Sequence, residues 1–293
     1  MPEQMNVSPI ETTLSLMKLN RDIRNAAKSI SDNEAKYLIK LYYQIQTMRE
    51  AAFSQSRTLK SDVNLSTKEK KDVEPHECID FMANQFLILE KEIADILKIY
   101  SKNNDVCKWM TSITGIGPII SCGFFAMIDI EKCETAGSIW RYAGLDPTME
   151  WKKGELRPWN AKLKTLCWKL GDSFVKVHNR ESDVYGHIYK MRKEFELAKN
   201  ERGEYAEEAK RILQKKKFTN KEVISIYESG KLPLGHIENR ARRYAVKIFL
   251  SHLFTVWYIM HHHKEPPRPY ALAILGHAHE IEIPNFDKSL YLK

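Results

Sequence analysis

Between Trp151 and Lys169 the chain carries Lys152, Lys153, Arg157, Lys162, Lys164 and Lys169 against one acid, Glu155. Cations at this density neutralise phosphates and release their counterions, which gives affinity for a polyanion without reading its sequence. Trp151, Trp159 and Trp168 are interleaved with them. Trp168 runs with Leu163, Leu166 and Leu170 at helical spacing, so it is expected in the core and not as a platform for bases. Upstream, Gly115-Ile116-Gly117 sits between two apolar helical stretches, and Pro118 opens the second. That arrangement fits a helix-hairpin-helix: the glycines allow a tight turn and leave amide groups open at a helix N-terminus, where a phosphate oxygen is favoured. A plain tight connection is the competing reading. Arg240, Arg243 and Lys247 share one face of a C-terminal amphipathic helix beginning near Glu238, suited to phosphate contact or to an ordinary solvated flank.

Other chemistry lacks its markers. Six of the ten histidines, His252, His261, His262, His263, His277 and His279, crowd towards the C-terminus. His261-x-His263 with His277-x-His279 offers four imidazoles to zinc, but with no cysteine or spaced carboxylate beside them they read as helix-end histidines. There is no phosphate-binding Gly-x-x-x-x-Gly-Lys loop, no Gly-x-Ser-x-Gly elbow and no His-Glu-x-x-His. The five cysteines include no Cys-x-x-Cys pair, which argues against a disulfide framework and for a reducing, cytoplasmic setting. No cofactor or metal is expected. Met1 to Thr13 lacks the pattern of a signal peptide, and the apolar run Ile248 to Met260 is short and holds Ser251, His252 and Thr255, so it reads as a core helix and no membrane partner is expected.

The elements that must position these residues read as mostly α. Only 12 Gly and 11 Pro occur in 293 residues, which disfavours turn-rich barrels and sandwiches. With 43% hydrophobic and 29% charged residues the chain is not disordered over most of its length, and its net charge of +8 leans towards a polyanionic partner. Apolar residues at alternating spacings of three and four mark three stripes: Leu16, Leu19, Ile23, Ala26, Ile30; Leu38, Leu41, Ile45, Met48, Ala52; and Ile79, Met82, Phe86, Leu89, Ile93, Ile96, Tyr100. They predict a helical bundle or a dimerising coiled coil, and hence a homo-oligomer formed through the N-terminal helices. Ser54 to Pro75 is polar and lysine-rich and reads as a loop. Thr135 to Ala143 reads as a short helix stopped by Gly144, and Phe195 to Lys217 as one mixed-charge helix with a solvated face. The expected organisation is an N-terminal helical region over 1–105, a helical domain with the hairpin over 106–265, and a tail over 266–293.

Ile113-Thr-Gly-Ile-Gly-Pro118, followed by Ile139-Trp-Arg-Tyr-Ala-Gly-Leu-Asp-Pro147, resembles the C-terminal transposase domain of the insertion sequence 110 family, which includes Piv-type invertases and RNA-guided recombinases. The resemblance runs from about Ile79 to Lys169, since that family also places a coiled-coil helix ahead of Gly-Ile-Gly. It implies DNA as partner, with a structured RNA as a second candidate, and a role in transposition or recombination. Two departures bear on catalysis. The family's N-terminal RuvC-like domain, whose acidic tetrad binds divalent metal, is not matched by helical stripes, and the serine nucleophile after Gly-Leu-x-Pro has no counterpart between Pro147 and Lys164, where Thr148 is the sole hydroxyl.

The reading that follows is a DNA-binding protein of transposase descent without its own catalytic centre, using Gly115, Ile116, Gly117, Lys152, Lys153, Arg157, Lys162, Lys164, Arg240, Arg243 and Lys247. Two alternatives stay open: a recombinase supplying part of a composite active site, with Asp129, Glu131, Asp146 and Glu150 as nearest acids, and a non-catalytic helical oligomer.

Overall fold

The computed structural model describes residues 18–62, 77–267 and 281–292, and among them eleven α-helices and no strand: the protein is all-α. It divides into two compact units, Met1–Tyr100 and Ser101–Lys293.

In the first unit, α1 spans Arg21–Ala26, α2 Asp32–Asp62 and α3 Glu77–Ser101. Asn20 caps α1 by accepting from the Ile23 amide at 2.9 Å. Ser31 and Glu34 open α2 with a reciprocal box, each side chain taking the other's amide. Helices α2 and α3 pair antiparallel, as the descending and ascending partners show: Tyr100 donates to Asp32 at 2.7 Å, Gln46 to Glu90 at 3.1 Å, and Ser56 to Asp80. The seam of α3 is Ala83, Phe86, Glu90, Ile93, Leu97 and Tyr100, again spaced by three and four. It differs from the stripe expected through Met82 and Leu89, which are exposed. α3 is apolar on more than one side, and the seam is disguised by Glu90, a buried acid made acceptable by donors from Gln46 and Arg49. Helix α2 also runs on to Asp62, so part of the expected loop from Ser54 is helical; 63–76 lie outside the described residues.

In the second unit the helices are α4 Asp105–Thr111, α5 Pro118–Met127, α6 Ala136–Tyr142, α7 Ala161–Val177, α8 Val184–Glu201, α9 Ala206–Lys215, α10 Lys221–Glu228 and α11 Leu234–His262. The 29-residue α11 is the spine, against which α4, α6, α7 and α8 pack. Its Phe249 is the centre of an aromatic core, with ring centroids 5.5 Å from Phe124, 6.1 Å from Phe174 and 5.5 Å from Tyr185. Tyr185 also bonds His252 at 2.8 Å, and burial pushes that imidazole down to about 4. His252 is therefore a neutral core residue. Leu163, Leu166 and Leu170 bury the inner face of α7. Trp168, two residues beyond Leu166, points outward and is 58% exposed, contrary to the core position expected for it. A step of two residues turns a helix by about 200°, so a leucine face at 163, 166 and 170 excludes 168.

The mixed-charge stretch from Phe195 is two helices, because Gly203 adopts a φ of +75° and ends α8. α9 and α10 close a small second core of Tyr205, Ala209, Tyr227, Leu232 and Ile237. The final segment is tied to α4: Trp109 Nε1 donates to the Pro284 carbonyl at 2.9 Å and Asn285 Nδ2 to the Ser112 carbonyl at 3.0 Å. Among the described residues no helix is long and apolar enough to cross a membrane.

Candidate nucleic-acid interface

The basic stretch is shaped by the loop from α6 to α7. At the end of α6, Gly144 takes a φ of +64°, and a Cβ there would lie 2.7 Å from the Trp159 ring. Glycine thus lets the indole pack directly on the backbone. Asn160 closes the loop, its amide bonding the Tyr142 carbonyl at 2.9 Å while its side chain caps α7 through the amides of Lys162 and Leu163. At the far end the chain reverses at 152–155: the Glu155 amide donates to the Lys152 carbonyl, the Lys152 amide to the Glu155 carboxylate, and Trp151 Nε1 to the Glu155 carbonyl at 2.8 Å. Trp151 meets Trp159 edge-on at 6.2 Å.

Each of three tryptophans carries a cation on its face. Arg157 lies over Trp151 at 5.3 Å, Lys164 over Trp159 at 4.3 Å and Lys247 over Trp140 at 4.3 Å. The Trp140 Nε1–H also donates to the Lys247 carbonyl at 3.0 Å, which ties α6 to α11. Two sequence segments 107 residues apart are so brought together. Burial first, and then the charges of Arg243 and Arg157, hold the Lys164 ammonium below its ordinary value. Lys247 is lowered in the same way by burial and Arg243, with Asp146 opposing. Arg243 is lowered by burial and by Arg240, against Glu208 and Glu196. Arg157, Lys164, Arg243 and Lys247 make no ion pair within 4.0 Å among the described residues. Lys152, Lys153 and Lys162 stand exposed around them.

Arg240 is placed differently, although it precedes Arg243 by one helical turn. Its guanidinium reaches Glu196 at 2.9 Å and Glu208 at 2.9 Å, an internal lock between α11, α8 and α9.

The Gly115-Ile116-Gly117 turn joins α4 to α5. Gly115 has a φ of +92°, and its carbonyl accepts from Ser173 Oγ at 2.5 Å. Ile116 is buried, and Gly117 is the exposed N-cap of α5 with Pro118 at its first position. The turn sits on the C-terminal half of α7 while Lys164 and Trp159 lie at its start. From Lys164 to Ser173 the helix rises about 14 Å at 1.5 Å per residue. The Gly-Ile-Gly turn and the basic cluster therefore occupy opposite ends of one helix.

The acids do not converge. Asp129 pairs with Lys132 at 2.8 Å, and Glu131 lies 3.5 Å from His261. Among the described residues no three His, Cys, Asp or Glu side chains are grouped as for a metal ion, and His277 and His279 lie outside those residues. Thr148 donates its hydroxyl to Asp146 at 2.7 Å. Hydrogen bonds from Thr148, then the charges of Arg141 and Lys247, hold the Asp146 carboxyl below its usual range. Such a carboxylate is a weak base for activating a hydroxyl.

Residues 107–151, from α4 through the Gly-Ile-Gly turn, α5 and α6 to Trp151, match the model of the transposase IS116/IS110/IS902 family. No curated protein and no solved structure matches the chain.

Proposed function

Starting from a chain that carries an IS110-family transposase-type segment, and so descends from proteins of transposition and recombination, we propose that it binds DNA without a catalytic centre of its own. The observation that carries the reading is the placement of Arg157, Lys164 and Lys247 over Trp151, Trp159 and Trp140, with Arg243 close enough to act on both lysines and with no carboxylate in ion-pair range of the four among the described residues. Like charges packed this way repel one another, and Lys164, Arg243 and Lys247 are partly desolvated. A phosphate backbone relieves both costs. Lys152, Lys153 and Lys162 extend the surface, while Arg240 serves the fold. The exposed N-terminus of α5 at Gly117 supplies a second phosphate contact from the other end of α7.

A substitution tests the second contact. A Cβ at Gly117 meets nothing within 4 Å and its φ of −93° suits any residue. Gly117→Val is expected to keep the helical circular dichroism and to lose roughly fivefold in duplex affinity, from the ~1 kcal/mol of an anion at a helix N-terminus. Unchanged affinity in the folded variant removes the hairpin from the interface.

The exposed apolar side chains Phe81, Met82, Ile88 and Leu89 on α3 support self-association through the N-terminal helices. For the absence of a catalytic centre the test is supercoiled plasmid with Mg²⁺ or Mn²⁺ and host RNA. Binding without nicks, protein adducts or recombinants is expected. Metal-dependent products that vanish in Thr148→Ala would make Thr148 a nucleophile and overturn the reading, and binding confined to structured RNA would replace DNA as the ligand.

A further inference from the structure

Leu156 is 96% exposed, the most solvent-facing of the large apolar side chains described. The segment that carries it is braced. Gly154 turns at a φ of +100°, the Trp151 indole and the Lys152 and Glu155 amides close the turn, and Arg157 lies over Trp151. Pro158 restricts the backbone of Arg157 before it, so the chain leaving Leu156 is stiffened on its C-terminal side. Lys152, Lys153 and Arg157 flank it.

An isolated leucine amid lysines is a poor match to a protein partner, since lysine is depleted from the centres of protein interfaces. It does match the apolar side chains that DNA-bending proteins insert between base steps, where flanking cations grip the phosphates on either side and the wedge unstacks the step. We infer that Leu156 is a wedge that enters a base step of duplex DNA held on the basic surface. The inference rests on the DNA-binding reading above. Insertion would unstack and untwist the duplex locally, at lowest cost at flexible pyrimidine–purine steps.

The test needs no knowledge of a target sequence. A closed circular plasmid is relaxed with topoisomerase I in the presence of the full-length chain, and occupancy is measured in parallel by fluorescence anisotropy on duplex DNA. Wild-type protein is expected to shift the topoisomer distribution in proportion to the amount bound. Leu156→Ala, compared at equal occupancy, is expected to lose the shift while its salt dependence of binding stays as in the wild type. Leu156→Phe, which keeps an apolar wedge, is expected to retain it. Wild-type binding with no topoisomer shift, or an undiminished shift in Leu156→Ala, overturns the wedge and leaves DNA binding standing. Failure to bind duplex DNA at all overturns both.

Discussion

Glu196→Ala is expected to destabilise the second unit by about 3–5 kcal/mol, the cost of breaking a buried ion pair from one side. The Glu196 side chain is 1% exposed and accepts from Arg192 at 2.5 Å, from Arg240 at 2.9 Å and from Tyr205. Its removal strands the half-buried Arg192 guanidinium and leaves Arg240 with Glu208 alone, between α8, α9 and α11. The loss is a large fraction of a domain's total stability, so a urea midpoint read by circular dichroism should fall steeply. Glu196→Gln, which keeps the shape and one acceptor, should lose less. The pH dependence has a definite sign. Burial alone would raise the Glu196 carboxyl, but bonds from Tyr205 and Arg192 and the charge of Arg240 outweigh it and hold it below 4.5. The stabilisation is therefore present above the unfolded value and lost as pH falls through the lower folded value. An unchanged urea midpoint in the alanine variant would show that the lock contributes nothing.

The opposite pattern is expected for the surface cations. Replacing Arg157, Lys164, Arg243 and Lys247 together by glutamine removes four charges while keeping part of each stem, and for Arg157, Lys164 and Lys247 that stem lies over a tryptophan. At about −0.9 in log K per decade of salt for each phosphate, leaving four phosphates without their cations near 0.1 M salt lowers duplex affinity by roughly three and a half orders of magnitude. Because those charges repel one another in the free protein, Tm is expected to hold or rise. Arg240→Gln should do the reverse, lowering Tm and leaving the salt dependence alone. Equal affinity of the fourfold variant and the wild type would assign these residues to solvent.

The contrast between Arg240 and Arg243 shows where sequence stops being informative. Both lie on one face of α11 at helical spacing, and only the arrival of Glu196 and Glu208 from helices thirty to forty-five residues upstream separates the structural residue from the free one. The same holds for the lysine run after Trp151. Its charge is plain in the sequence, but its convergence with Arg243 and Lys247 depends on Trp140 bonding the backbone of α11, and no local pattern carries that. The all-α class and the long C-terminal helix follow from periodicity, because that signal is local. Two departures from expectation have local causes as well. Gly203 marks the break after α8, and the two-residue step from Leu166 puts Trp168 on the outer face. The seam of α3 is hidden for a different reason: Glu90 breaks the apolar series, and its partners Gln46 and Arg49 stand on another helix.

Whether phosphate neutralisation by the surface around Trp151 and Trp159 drives binding is read most directly by a salt titration. The duplex affinity of the full-length chain is measured by anisotropy over a range of monovalent salt. Four to five neutralised phosphates predict that log K falls against log salt with a slope of about −4, and that the slope becomes much shallower in the fourfold glutamine variant, which keeps only Lys152, Lys153 and Lys162 of the surface cations. A flat dependence in the wild type, or the same slope in both proteins, would contradict the account.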